Sequence, residues 1–142
     1  MASSNVTSAA LIGIDTNVVV RLLMRDNETQ FQRARKLVAS ATPQVPLLVN
    51  PLVVMETIWV MENGYRLAPE TARKPVAELL QSAQVRAVEK LSVSTIWDCL
   101  SSNRRGFSDL LIAAANLENG CEFTFTFDRQ AARNVPGMKL LT

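Results

Sequence analysis

Four apolar residues, Leu11–Ile14, run directly into Asp15-Thr16-Asn17 and then into Val18, Val19, Leu22 and Leu23, so the hydrophobic period changes across a single carboxylate. The first run is short enough for a buried strand closed by a turn, and the second has the i, i+1, i+4, i+5 spacing of one helical face. Asp15 or Thr16 stands where such a helix takes its N-cap, and Arg21 and Arg25 fall on its polar side. The β-branched valines count only weakly against helix. A strand that turns straight into a helix sets Asp15 at the carboxyl end of a sheet, and the rest of the chain has to be fitted around that junction.

The pattern repeats. Residues 28–41 carry Phe31, Ala34, Leu37, Val38 and Ala41 on one helical face, and Thr42-Pro43 stops them. Residues 45–49 read as a short strand, after which Asn50-Pro51 supplies an N-cap and an N1 proline for a helix over 51–63 that ends at Gly64. That helix is apolar on nearly every side, so it is expected to be largely buried and to carry Glu56 inside with it. A helix over 68–82 is expected to bend or break at Pro75. Residues 85–88 suit a strand, and 92–105 suit a helix with Ile96, Cys99 and Leu100 inward and Gly106 as its stop. A helix over 107–119 is capped by Asn119-Gly120. Residues 122–127, EFTFTF, alternate aromatic with polar in strict period two and run into Asp128. A helical turn over 131–134 and a strand over 139–141 complete the chain. Trp59 and Trp97, at helical spacing from apolar neighbours, are expected in the core. Alternating strands and helices predict an α/β sandwich with a mainly parallel sheet, whose ligand crevice lies at the strands' carboxyl ends.

With 142 residues and no linker-like tract, the chain reads as a short mobile lead, 1–10, and one domain, 11–142. It has no histidine, and its two cysteines, Cys99 and Cys121, form no CxxC pair. A Cys/His zinc site and a histidine-based ribonuclease are thereby excluded, and the thiols read as buried groups in a reducing compartment. The lead has no Lys or Arg and the apolar stretch after it is interrupted by Asp15, so a signal peptide is not expected. No apolar run approaches the roughly 20 residues of a membrane span. A cytoplasmic protein with no membrane partner is expected.

Four acids stand apart by their surroundings: Asp15, Glu56, Asp109 and Asp128. Each has a bland explanation. Asp15 and Asp128 suit helix N-caps, Asp109 suits a first helical turn, and Glu56 suits a buried pair with an arginine. If all four converge, a different physics takes over. Two carboxylates about 5 Å apart repel by roughly 3 kcal/mol at an effective dielectric of about 20, and four multiply that term. Protonation or a bound divalent cation must relieve it, and oxygen-only ligands select Mg²⁺ or Mn²⁺. With four of the thirteen acids so gathered, nine remain elsewhere against fifteen Lys and Arg, a surface suited to a polyanion.

The segments IDTNVVVRLL, the helix bearing Glu56, GFSDLLIAAANLENG and TFTFDRQAAR follow the order and spacing of PIN-domain proteins. From about Leu11 onward the chain resembles VapC-like toxin ribonucleases of the type II toxin–antitoxin class. The resemblance implies a three-layer α/β/α PIN fold and a metal-dependent endoribonuclease that hydrolyses RNA phosphodiester bonds with one or two Mg²⁺ or Mn²⁺ ions. It places the catalytic and metal-binding acids at Asp15, Glu56, Asp109 and Asp128, with Asn17 and Thr126 as polar neighbours. It further implies a homodimer and a cognate antitoxin, for which the first, second and fourth helices would supply a groove. At Gly106 the chain departs from relatives that carry a further acid. Arg21, Arg25 and Arg129 are candidate RNA contacts. Two other readings compete: a PIN-fold module that binds RNA or protein without catalysis, and a response-regulator-like domain, which expects adjacent acids on the first strand and lacks them here.

Overall fold

The computed structural model describes residues 10–142, so all of the expected lead except Ala10 lies outside the described residues. Leu11–Ile14 forms β1, the middle strand of a sheet completed by β2 (Leu47–Val49), β3 (Val85–Ala87), β4 (Cys121–Thr126) and β5 (Met138–Leu140). The order is β3-β2-β1-β4-β5, and every pairing is parallel. Parallel neighbours need crossovers, and helices supply them. These are α1 (Thr16–Met24) and α2 (Glu28–Ser40), α3 (Pro51–Trp59) and α4 (Pro69–Gln81), α5 (Val93–Leu100) and α6 (Phe107–Glu118), and α7 (Arg129–Asn134). They cover both faces in a three-layer α/β/α arrangement, as expected. The chain lays its first three strands to one side of the sheet and its last two to the other. The switch point therefore lies between β1 and β4, where open α/β sheets form a crevice.

Local chemistry explains most boundaries. Asp15 caps α1 by accepting from the Val18 N–H at 3.2 Å, Asn27 caps α2, and Asn50 caps α3 with Pro51 in the first turn. The valine run 18–20 is wholly buried, and packing against the sheet overrides its weak helix propensity. Ile14, Val18, Val49, Val53 and Ile112, each 2% exposed or less, form the centre of the core.

Four expectations are corrected. Helix α4 runs unbroken through Pro75. The proline removes one N–H, and the turns around it are anchored by Ala72 and Val76 packed on Met61. Helix α3 passes at Val60 into a π-helical turn, Val60–Gly64, that buries Met61. Its other side is not buried: Met55 is 67% and Trp59 64% exposed, and Trp97 on α5 is 67% exposed, so neither tryptophan is core. Finally, α5 stops at Leu100, which is exposed, and Gly106 ends no helix. With φ near +75° it takes the left-handed conformation and starts α6.

Candidate active site

At the switch point β1 and β4 end side by side. The Asp15 N–H donates to the Phe125 carbonyl at 3.1 Å. Asn17, in the first turn of α1, donates to the Thr126 hydroxyl at 3.2 Å and accepts from the Phe127 N–H at 2.9 Å. The same hydroxyl accepts from the Asp128 N–H at 3.0 Å. Asn17 and Thr126 therefore lace the two strand ends together and set the spacing between Asp15 and Asp128.

Asp15 is 1% exposed. Its Oδ1 caps α1, while its Oδ2 is buried with no hydrogen-bond partner among the described residues. Burial pushes its pKa up to about 7. The Thr126 hydroxyl and Val18 amide pull the other way, and the charges of Asp109 and Glu56 add to the rise. Asp109, half-buried in the first turn of α6, is also raised, first by burial and then by Glu56 and Asp128. Glu56 does not go inside as expected. It is half-buried on α3 and accepts from the Ser108 hydroxyl at 2.7 Å. Asp128 is exposed and caps α7, its Oδ1 accepting from the Gln130 and Ala131 N–H groups at 2.8 and 3.0 Å.

Asp109 and Glu56 thus act on the charge of Asp15, and Glu56 and Asp128 on that of Asp109. Among the described residues no three acidic, histidine or cysteine side chains are drawn to ion-holding distance, and two of the carboxyls are engaged sideways, Glu56 with Ser108 and Asp128 with α7. The ion pairs of the described residues are Arg21–Asp26, Arg25–Glu28 and Arg73–Glu62, so none of the four is neutralised by an arginine or lysine. An unpartnered buried carboxylate oxygen beside other carboxylates, with only oxygen donors around, fits a hard divalent cation.

Of the arginines expected to meet RNA, Arg21 is held by Asp26, Gln30 and Tyr65, and Arg25 by Glu28 and the face of Phe31. Arg129 is exposed beside Asp128. The sequence reading missed two groups. Arg104 and Arg105, taken for the end of a helix, stand in the loop before α6 and wall a cavity of about 400 Å³ that also takes in Asp109 and Asp128. The doubled arginine between an apolar helix and a glycine was the available signal. Beneath the site, the Asn50 side-chain amide donates to Asn116 Oδ1 at 3.0 Å, and the Asn116 amide donates to the Thr124 hydroxyl at 2.8 Å, all three buried. This chain ties α3, α6 and β4, the elements that carry Glu56, Asp109 and lead to Asp128. Its signal was Asn116, the one polar residue in the run Leu110–Leu117. Cys99 and Cys121 are buried free thiols, as expected.

Comparison with known proteins agrees with this geometry. The PIN domain family model matches residues 12–136. No curated protein matches the chain. Among solved structures it is similar to VapC20 from Mycobacterium tuberculosis, a toxin described as cleaving the sarcin-ricin loop. The TM-score is 0.65 at 20% identity, over 86% of this chain and 93% of that one. It is also similar to VapBC2 from Rickettsia felis, solved bound to a DNA fragment from its promoter, with a TM-score of 0.62 at 14% identity over 92% of this chain and 96% of that one. At these identities the two structures speak for the fold, while the family match spans nearly all of it together with the four acids; the chain belongs to the PIN domain family.

Proposed function

We propose that the protein is a metal-dependent endoribonuclease, the toxin of a type II toxin–antitoxin pair, and that Asp15, Glu56, Asp109 and Asp128 are its catalytic and metal-binding residues. The observation that carries this reading is the Asp15 carboxylate, buried at the switch point with one oxygen unpartnered and two other acids raising its pKa. A folded chain keeps such a group when something outside the protein completes it. The similarity to VapC20, described as a sarcin-ricin loop cleaving toxin, and to VapBC2 supports the same class.

Asp15, Asp109, Glu56 and Asp128 would hold one or two Mg²⁺ or Mn²⁺ ions. When bound, such an ion supplies Lewis acidity to the phosphate and lowers the pKa of water at the site. The protein's own part is positional. Asn17 and Thr126 fix the distance between the two strand-end acids, Ser108 orients Glu56, and the first turns of α1 and α7 restrain one oxygen each of Asp15 and Asp128. Arg129, exposed and next to Asp128 in sequence, would meet the phosphate backbone.

The exposed Met55 and Trp59 on α3 and Val93, Trp97 and Leu100 on α5 give the chain apolar faces that a second copy would cover, and a homodimer is part of the proposal. An antitoxin segment would lie in the groove of α1, α2 and α4. No described helix is long and apolar enough to cross a membrane, and the proposed place of action is the cytoplasm.

The test is cleavage of single-stranded RNA with Mg²⁺ or Mn²⁺ against excess chelator. Cleavage only with the ion, lost in Asp15→Asn and Asp109→Asn variants that still fold, is the expected result. Cleavage that survives chelation removes the metal. RNA binding with no cleavage under any ion returns the chain to a non-catalytic binding module.

A further inference from the structure

We infer that the cavity between the α5–α6 loop and α7 is the subsite for one nucleotide of a single-stranded RNA, with Arg105 on a backbone phosphate and Gln130 and Asn134 reading the base. The inference rests on the nuclease reading for its position next to the cut bond, because Asp109 and Asp128 form one wall of the same cavity.

Size is the first argument. About 400 Å³ lies within the roughly 300–1,000 Å³ of ligand pockets, and it admits one splayed nucleotide rather than a duplex. Chemistry is the second. Arg104 is fixed across the cavity by a 3.0 Å hydrogen bond from its guanidinium to the Asn134 carbonyl, so the loop is tied to α7. Arg105 beside it makes no ion pair or side-chain hydrogen bond among the described residues, although two carboxylates line the same cavity. A planar guanidinium left without an anion suits a phosphate. Gln130 and Asn134, four residues apart on one face of α7, bring side-chain amides that can both donate and accept, as base edges require. Ala131 and Val135 add an apolar floor for the ring.

Gly106 also lines the cavity. Its left-handed backbone carries no side chain, and a Cβ there would stand in ordinary contact with Asp109 Oδ2, at 3.9 Å.

The measurement is fluorescence anisotropy with a labelled single-stranded RNA of mixed sequence in excess chelator, so that binding is read without cutting. Arg105→Ala is expected to weaken binding about tenfold or more and to lower the slope of log affinity against log salt by about 0.7, the loss of one single-strand phosphate contact. Gln130→Ala and Asn134→Ala are expected to reorder affinities among oligo(A), oligo(C), oligo(G) and oligo(U). Arg33→Ala, on the exposed face of α2, is the control, and Arg105→Gln replaces Arg105→Ala if that variant does not fold. Binding by Arg105→Ala equal to that of the control, with an unchanged salt slope, overturns the subsite. The two readings fail separately. Wild-type protein that binds through Arg105 yet cuts nothing with Mn²⁺ sinks the nuclease and keeps the phosphate contact, whereas metal-dependent cutting with normal binding by Arg105→Ala does the reverse.

Discussion

The side-chain amide of Asn116 occupies the space a Cβ on Gly13 would need: an added carbon there would sit 2.3 Å from Asn116 Nδ2 and 3.0 Å from Thr124 Oγ1. The central strand is therefore smooth at that point so that a buried polar side chain from α6 can lie across it. Gly13→Ala should destabilise the protein by about 3 kcal/mol, from overpacking together with disturbed buried hydrogen bonds. Chemical denaturation would show it. Pairing Gly13→Ala with Asn116→Ala should recover part of the loss, and strictly additive losses would contradict the contact.

Asp15 should make the protein in excess chelator sensitive to alkali. Its pKa stands at about 7 in the fold against an ordinary 3.8, so the folded state binds the extra proton between those values. The resulting stability is complete below pH 3.8 and is lost as pH rises through about 7, up to roughly 4 kcal/mol in all. Asp15→Asn keeps the acceptor that caps α1 and removes the ionisation. In chelator at pH 8 it should unfold at higher denaturant than wild type, with the gap closing towards pH 5. A wild-type stability that does not fall from pH 5 to pH 8 would count against the buried charge.

Ion binding should be visible without any substrate. At about a hundred times its dissociation constant, a ligand adds about 2.7 kcal/mol to stability, which raises Tm by roughly 5–10 °C in a chain of this size. Mn²⁺ should do this for wild type and fail to do it for Asp109→Asn. Equal shifts in both proteins would place the ion elsewhere.

Trp59 and Trp97 decide the proposed pairing of two chains. Sedimentation velocity should find a dimer for wild type, and Trp97→Glu or Trp59→Glu should shift it to monomer with unfolding behaviour little changed, since both side chains are about two-thirds exposed in the single chain. A wild-type monomer at all accessible concentrations would leave those faces for another partner.

These results also show where the residues spoke plainly in advance and where they did not. The strand that ends at Asp15, the Asn50-Pro51 helix start and the alternating run into Asp128 were legible because each signal is local: a period, a cap, a turn. The exposure of Trp59 and Trp97 was not, because helical spacing reports that a face is apolar and not whether the same chain covers it. Pro75 misled for the opposite reason. The local cost of a helical proline is real, but packing of Ala72 and Val76 on Met61 outweighs it. The end of α5 at Leu100 lacks a glycine or proline to mark it, which hid the loop that displays Arg104 and Arg105. Asn116 pairs with residues 66 and 8 positions away, and no period predicts such partners.

The proposed double employment of Asp15 and Asp128 bears on how sequences of this kind should be judged. Each starts a helix with one oxygen, so the demands of folding alone would preserve a capping residue at both places in a related chain that does not cut RNA. Glu56 starts nothing; it sits midway along α3, held by one hydroxyl. If the proposed function holds, its presence or absence in a related chain is therefore the more telling mark of whether that chain acts on a phosphodiester.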